Sequence, residues 1–169
     1  MSREGETALT PPEGLLSRET IARKCQDLRD AGRRIVFTNG CFDLLHVGHV
    51  VYLEEARRLG DMLAVGLNSD ASVTRLKGEG RPWNSEVARA RVLLGLSSVD
   101  FVTVFGEDTP LELIRAVRPH VLCKGGDYEP EQVVGRTEVE SDGGRVVILP
   151  FVAGFSSTRL YQQIRAAGG

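Results

Sequence analysis

RIVFTNGCFDLLHVGHVVYLEEARRL, residues 34–59, is the stretch that decides the fold. Ile35-Val36-Phe37 is a short, apolar, largely β-branched run with the length of a buried strand. The chain then breaks at Asn39-Gly40, passes Cys41, Phe42 and Asp43, and near Val47 takes on the spacing of an amphipathic helix. A strand, a glycine turn and a helix N-terminus together make an anion site from backbone alone. Unpaired N–H groups and the positive end of the helix dipole both face the loop. His46 and His49 sit three apart with Gly48 between them, so both rings fall on one face of the helix start and reach a single phosphate. Gly48 lacks the Cβ that would hold a nucleotide away from the backbone. The rival reading is a metal pair with Cys41 as third ligand. Such a pair usually brings a carboxylate or a further histidine, and the remaining histidine, His120, falls in a strand. Phosphate contact is the preferred reading, and no metal ligands are assigned.

Working outward, Ser17 caps a first helix carrying Ile21, Ala22, Cys25 and Leu28 on one face, and Gly32 ends it. Residues 61–67 form a second buried strand that closes at Asn68-Ser69-Asp70. Residues 71–83, with Lys77-Gly78-Glu79-Gly80-Arg81-Pro82, read as a mobile basic loop. A helix follows over 85–96, with Val87, Ala90, Arg91 and Leu94 setting its spacing, then a strand over 100–105. Thr109-Pro110-Leu111-Glu112 reads as a capping box with proline at the first helical position. A strand over 120–123, a short helix over 130–140, a strand over 145–149 and a last helix from Ser156 to about Ala166 complete the order.

Strands alternate with helices, and the strands are continuous apolar runs. That pattern predicts a Rossmann-like α/β domain: a five-stranded parallel sheet with helices on both faces. Residues 1–16 read as a flexible arm and 17–169 as the domain. At 169 residues the chain is long enough to bury one core without staples. A net charge of −2 with mixed signs argues against a nucleic-acid surface. No apolar run approaches the roughly 20 residues of a membrane span, and no leader pattern opens the chain, so a cytoplasmic protein without membrane contact is expected. Three cysteines without a CxxC pair argue against a disulfide framework or a zinc ribbon.

In a parallel sheet, ligands gather at the carboxyl ends of the strands. Every unusual cluster falls at that edge. Phe155-Ser156-Ser157-Thr158-Arg159 offers hydroxyls, a helix N-terminus and a guanidinium to a polyphosphate, although a plain serine cap is the simpler role of such a run. Lys77 and Arg81, between glycines, form a cationic loop able to close over a triphosphate or merely to be solvated. In Lys124-Gly125-Gly126-Asp127-Tyr128 the glycines permit close approach and Asp127 suits sugar hydroxyls, unless the run is only a turn. Cys41 lacks an adjacent base and reads as a small loop residue. The P-loop, dinucleotide and GxSxG patterns are missing from the sequence.

With Gly40-Cys41-Phe42-Asp43, His46-Val47-Gly48-His49 and Ser156-Ser157-Thr158, the chain resembles the HxGH nucleotidyltransferase superfamily. Residues 38–50, Asn68-Ser69-Asp70, Leu76-Lys77-Gly78, the block Lys124 to Tyr128 and the block Gly154 to Arg159 look like the adenylyltransferase half of bacterial ADP-heptose synthase, in its stand-alone form. The resemblance covers roughly 21–164. It implies AMP transfer from ATP to D-glycero-β-D-manno-heptose 1-phosphate with Mg2+, toward a surface glycan such as lipopolysaccharide core. It also implies His46, His49 and Lys77 as catalytic groups, and nucleotide contacts from Thr38, Asn39, Gly40, Cys41, Phe42, Gly48, Lys124, Gly125, Ser156, Ser157, Thr158 and Arg159. Asp43, Asn68, Asp70, Arg81 and Asp127 are expected to face the substrate. ATP and the sugar phosphate are then the partners, with a homodimer among the assemblies allowed. A cytidylyltransferase acting on glycerol or ethanolamine phosphate, and a nucleotide-binding module without catalysis, remain as alternatives.

Overall fold

A computed structural model describes residues 9–126, 128–150 and 152–167. Five strands, β1 (Ile35–Gly40), β2 (Met62–Asn68), β3 (Phe101–Phe105), β4 (Val121–Gly125) and β5 (Arg145–Leu149), form one parallel sheet in the order β3-β2-β1-β4-β5. Seven α-helices connect and flank them among the described residues: α1 (Arg18–Asp30), α2 (Val47–Arg57), α3 (Asp70–Lys77), α4 (Glu86–Leu94), α5 (Leu111–Val117), α6 (Arg136–Ser141) and α7 (Ser157–Ala167). The expected five-stranded parallel sheet is observed.

The strands read as unbroken apolar runs because both faces are covered. Alternate side chains go to opposite sides. Ile35, Phe37, Met62 and Ala64 pack with Ile21 and Cys25 of α1 and with Leu113 and Ile114 of α5. Val36, Leu63, Val65 and Leu67 pack with Leu53 and Ala56 of α2 and with Ala90 and Leu93 of α4. β1 lies in the middle, and the chain leaves it toward β2 and later crosses to β4. Strand order therefore reverses between β1 and β4, which opens a crevice at their carboxyl ends.

Several local expectations are corrected. Residues 71–77 of the expected mobile loop, together with Asp70, form α3, whose N-cap Ser69 accepts the N–H of Ser72 at 3.2 Å. Only the glycine-rich part, from Gly78 at φ 92, is loop. The single helix expected over 130–140 is a 3-10 turn (Pro130–Gln132) followed by α6, separated at Gly135, which takes φ 89. Thr109 forms no capping box, because Pro110 itself occupies the N-cap and Glu112 pairs with Arg115. On α4 the core-facing arginine is Arg89, whereas Arg91 is exposed and reaches the Thr10 carbonyl. Gly14 to Leu16, assigned by the sequence to an arm, run beside β3: Val102 N–H donates to Gly14 O at 3.0 Å and Leu16 N–H to Val102 O at 2.9 Å. Residues 1–8 of that arm lie outside the described residues. Among the described residues no helix is long and apolar enough to cross a membrane.

Candidate active site

β1 ends at the crevice, and the loop after it is held in a conformation that its own residues do not prefer. Phe42 takes φ 44, in the left-handed region, with its ring buried against Gly40. A Cβ on Gly40 would lie 2.9 Å from Phe42 Cε2, so glycine is required there. A left-handed phenylalanine persists only where its surroundings over-determine it. Two buried charges do so. Asp43 Oδ2 accepts from Arg81 Nε at 2.6 Å, and Oδ1 accepts from the N–H groups of Trp83 (2.9 Å) and Asn84 (3.2 Å). Arg89 donates to Cys41 O at 2.6 Å, Asn84 O at 3.0 Å and Asp70 Oδ1 at 2.7 Å.

His46 is the N-cap residue of α2, and its N–H points to His49 Nδ1 at 3.4 Å. The two rings stack at 4.0 Å between centroids. A Cβ on Gly48 would come within 3.0 Å of the His46 ring, so this glycine makes room for the histidine as well as for any ligand. Burial, with help from His46 and Lys77, pushes the His49 pKa down to about 4, and burial lowers that of His46. His49 is therefore neutral near pH 7, a hydrogen-bonding group until an anion draws a proton onto it. His46 Nδ1 is buried without a partner among the described residues.

Two clefts meet at the His49 ring. The larger, of 470 Å³, is lined by His46, Gly48 and His49 on one side and by Pro150, Val152, Ala153, Phe155, Ser156 and Arg159 on the other. The smaller, of 240 Å³, is lined by Asn39 to Asp43, Lys77, Lys124, Gly125 and Tyr128. His49 and Ser157 belong to both. Ser156 caps α7 by accepting the Arg159 N–H at 3.1 Å, and Ser157 Oγ donates to Leu44 O at 3.0 Å, which docks α7 on the loop before α2. Lys124 Nζ donates to Asn39 Oδ1 at 2.6 Å across the β1–β4 crevice, and burial lowers its pKa to about 8.

The structure thus brings together His46, Gly48, His49, Lys77, Lys124, Gly125, Ser156, Ser157, Arg159 and the Asn39–Phe42 loop. Other expected contacts fall elsewhere. Thr38 is fully buried beneath the site, its hydroxyl 2.6 Å from that of Tyr52. Asn68 donates to Ser72 Oγ at 3.0 Å, Asp70 holds Arg89, and neither lines a cleft. Asp43 borders the smaller cleft with both oxygens committed inside the protein. Arg81, expected to face the substrate, is tied to Asp43 and lies 3.8 Å over the Trp83 ring. Thr158 is exposed beside the larger cleft without lining it. Asp127 lies outside the described residues. Burial raises the Cys41 thiol pKa, which leaves it a poor nucleophile. Sequence reasoning missed Arg89 and the Trp83–Tyr161 ring contact (4.9 Å between centroids). The only available signal for Arg89 was an arginine one turn before Leu93, where the helix wants an apolar residue. Among the described residues no three His, Cys, Asp or Glu side chains converge as a metal site.

A sequence model described as cytidylyltransferase-like matches residues 37–162. The chain is 62% identical over 134 residues to a bifunctional protein HldE of Geotalea uraniireducens, covering 79% of this chain and 27% of that one. It is 57% identical over 148 residues to the HldE of Pelobacter propionicus (88% and 30%) and 54% identical over 168 residues to that of Nitrobacter hamburgensis (95% and 34%). The chain therefore spans about a third or less of the length of these relatives. Its fold is similar to a lipopolysaccharide core biosynthesis protein from Thermoplasma volcanium, with TM-score 0.59 and 29% identity, covering 72% of this chain and 98% of that one.

Proposed function

Because this chain belongs to the cytidylyltransferase-like family of nucleotidyltransferases, we propose that it transfers AMP from ATP to D-glycero-β-D-manno-heptose 1-phosphate. The observation that carries the reading is the meeting of the two clefts at His49 and Ser157, the larger lined by Arg159 and the smaller by Lys77 and Lys124. The larger cleft suits the nucleotide: Pro150, Val152, Ala153 and the half-exposed Phe155 offer faces to a base. Ser156, Arg159 and the α7 N-terminus suit its β- and γ-phosphates. The α-phosphate then lies at His49, where the smaller cleft opens.

An oxygen of the sugar phosphate attacks the α-phosphorus, the bond from that phosphorus to the bridging oxygen of the β-phosphate breaks, and pyrophosphate leaves. The attacking oxygen is already ionised near neutral pH, so no general base is needed. The barrier lies in aligning two anions and in neutralising charge on the α-phosphate and the leaving pyrophosphate. His46 and His49 donate hydrogen bonds to the phosphates, and Lys77 balances the growing charge. A divalent cation, magnesium by resemblance, fits only as a companion of the triphosphate, since the described residues offer no cage of their own. Its chemistry there is neutralisation of phosphate oxygens. The description of the Thermoplasma neighbour as a lipopolysaccharide core biosynthesis protein supports a precursor of that glycan as the product.

The test is purified protein with ATP and heptose 1-phosphate, read as ADP-heptose and pyrophosphate. CTP with glycerol 3-phosphate or ethanolamine phosphate runs in parallel. Product from the CTP pairs alone transfers the reading to the cytidylyltransferases, and nucleotide binding without turnover of any pair makes the protein a binding module. In the same assay His49→Ala lowers kcat by about 100-fold or more at unchanged thermal stability; near-normal turnover removes His49 from the chemistry.

A further inference from the structure

Resting on the reading above, we propose that Lys124 binds the acceptor and not the nucleotide, as one of two ammonium groups, with Lys77, that seat a phosphomonoester dianion in the smaller cleft. The resemblance, by contrast, implies Lys124 as a nucleotide contact.

Lys124 is the fourth residue of β4, across the sheet's point of reversal from Asn39 on β1. Among the described residues its Nζ has one partner, the neutral amide oxygen of Asn39. A largely buried ammonium satisfied by one neutral acceptor is an incomplete arrangement, because charge in a low-dielectric site wants an opposite charge. The space beside it is a cleft and not packed core, so the missing charge has room to enter. Asp43 does not supply it, since its carboxylate is bonded to Arg81, Trp83 and Asn84. Lys77, at the last turn of α3, adds a second cation to the same cleft. Two ammonium groups without a free carboxylate among the described lining suit a dianion better than a monoanion or a neutral alcohol.

Size and wall chemistry separate this seat from the nucleotide's. The cleft holding Lys124 has about half the volume of its neighbour, 240 against 470 Å³. Its wall differs: the rings of Phe42, Tyr52 and Tyr128 alternate there with Asn39, Lys77 and Lys124, in place of the Pro150, Val152, Ala153 and Phe155 wall of the larger cleft. Asn39 and Tyr128 border it instead, polar groups that suit the hydroxyls of a small sugar. Because His49 and Ser157 border both clefts, an anion held by Lys124 and Lys77 stands next to the position of the α-phosphate. That is where the attacking oxygen must come within roughly 3–3.5 Å of phosphorus. The arrangement also selects the acceptor by class. A free alcohol would need a base, and His49, with its pKa pushed down to about 4, is a weak one; an acceptor that brings its own phosphate needs none.

Steady-state kinetics on the full chain, with Lys124→Met and Lys124→Gln beside the parent, test this. The expected result is a rise of about 10- to 100-fold in KM for heptose 1-phosphate, the range of one lost charge-assisted contact, with KM for ATP within about threefold. A rise in KM for ATP with the acceptor's unchanged overturns the proposal, as does no change in either. An equilibrium arm needs no turnover: inorganic phosphate, glycerol 3-phosphate and glucose 1-phosphate are titrated into each protein by calorimetry without nucleotide. Binding that is lost in Lys124→Met supports the seat even where heptose 1-phosphate proves not to be the substrate. Undiminished binding in Lys124→Met overturns it even where that reaction proceeds. Methionine replaces a buried ammonium by an apolar chain of similar length, so the urea midpoint is expected to hold or rise. Should Met perturb packing, Gln carries the comparison.

Discussion

Arg89 is 2% exposed and has all its bonds inside the protein, on the carbonyls of Cys41 and Asn84 and on Asp70. It acts on the site through Cys41, whose carbonyl it anchors one residue before the left-handed Phe42. Arg89→Met strands those acceptors and is expected to cost about 3 kcal/mol of unfolding free energy in urea melts, whereas Arg91→Met, at an exposed position, is expected to cost less than about 0.5. A second residue-scale expectation concerns pH. The pKa of His49 is about 4 when folded and close to 6.5 when unfolded. Between those values the unfolded chain binds more protons, so stability present above pH 6.5 is lost as pH falls toward 4. His46 and His120, also lowered by burial, act in the same direction. The urea midpoint of the free protein is expected to fall across that window, and His49→Asn to make the fall shallower; an unchanged slope would mean that His49 is solvated. The histidines were legible in the sequence because two rings three apart at a helix start have few structural excuses. Their neutrality was not legible, because it comes from burial that only the folded loop supplies. Asp43, likewise, reads as a ligand in sequence and turns out to be a clamp, since the N–H groups that fill it come from a segment some 40 positions away.

At the scale of elements, α3 and α7 show why sequence reading succeeds in one place and fails in another. α7 announces itself by serine, threonine and a following apolar spacing. α3 was obscured by the glycines and proline of 78–82, although Ser69 ahead of it was a usable cap signal. The consequence is mechanical: Lys77 sits at the end of a helix and not on a free loop, so it reaches the site from a fixed origin. The segment after it is held in turn, with Arg81 on Asp43 and on the Trp83 ring, and Trp83 against Tyr161 of α7. Trp83 therefore ties α7, which carries Ser157 and Arg159, to the loop ahead of α2. Trp83→Ala is expected to raise KM for ATP by about threefold to tenfold with a smaller change in kcat, aromatic pairs contributing about 0.5–1.5 kcal/mol. Trp83→Phe should restore most of it. Equal kinetics for Trp83→Ala and the parent protein would mean that the ring contact does not position α7.

For the whole molecule, the parallel sheet was legible because burial on both faces leaves strands no polar alternation, and residues 35–37, 61–67 and 120–123 show none. The convergence of motifs on one edge followed from that. The division of the edge into two clefts did not, since it depends on how far α7 stands from β4, a distance no spacing in the sequence encodes. The site is assembled from elements of very different anchorage. β1 is paired on both sides at the centre of the sheet, while α7 has no fully buried residue. In amide hydrogen exchange, Val36 to Thr38 should open only with global unfolding, and α7 should open by itself at far lower free energy. On the proposed function, ATP binding is then expected to order a helix as well as fill a cleft, with some of the intrinsic affinity going into that ordering. Saturating ATP is expected to slow exchange in 157–167 by about tenfold or more while leaving β1 unchanged, so that the triphosphate works as the fastener of the last helix.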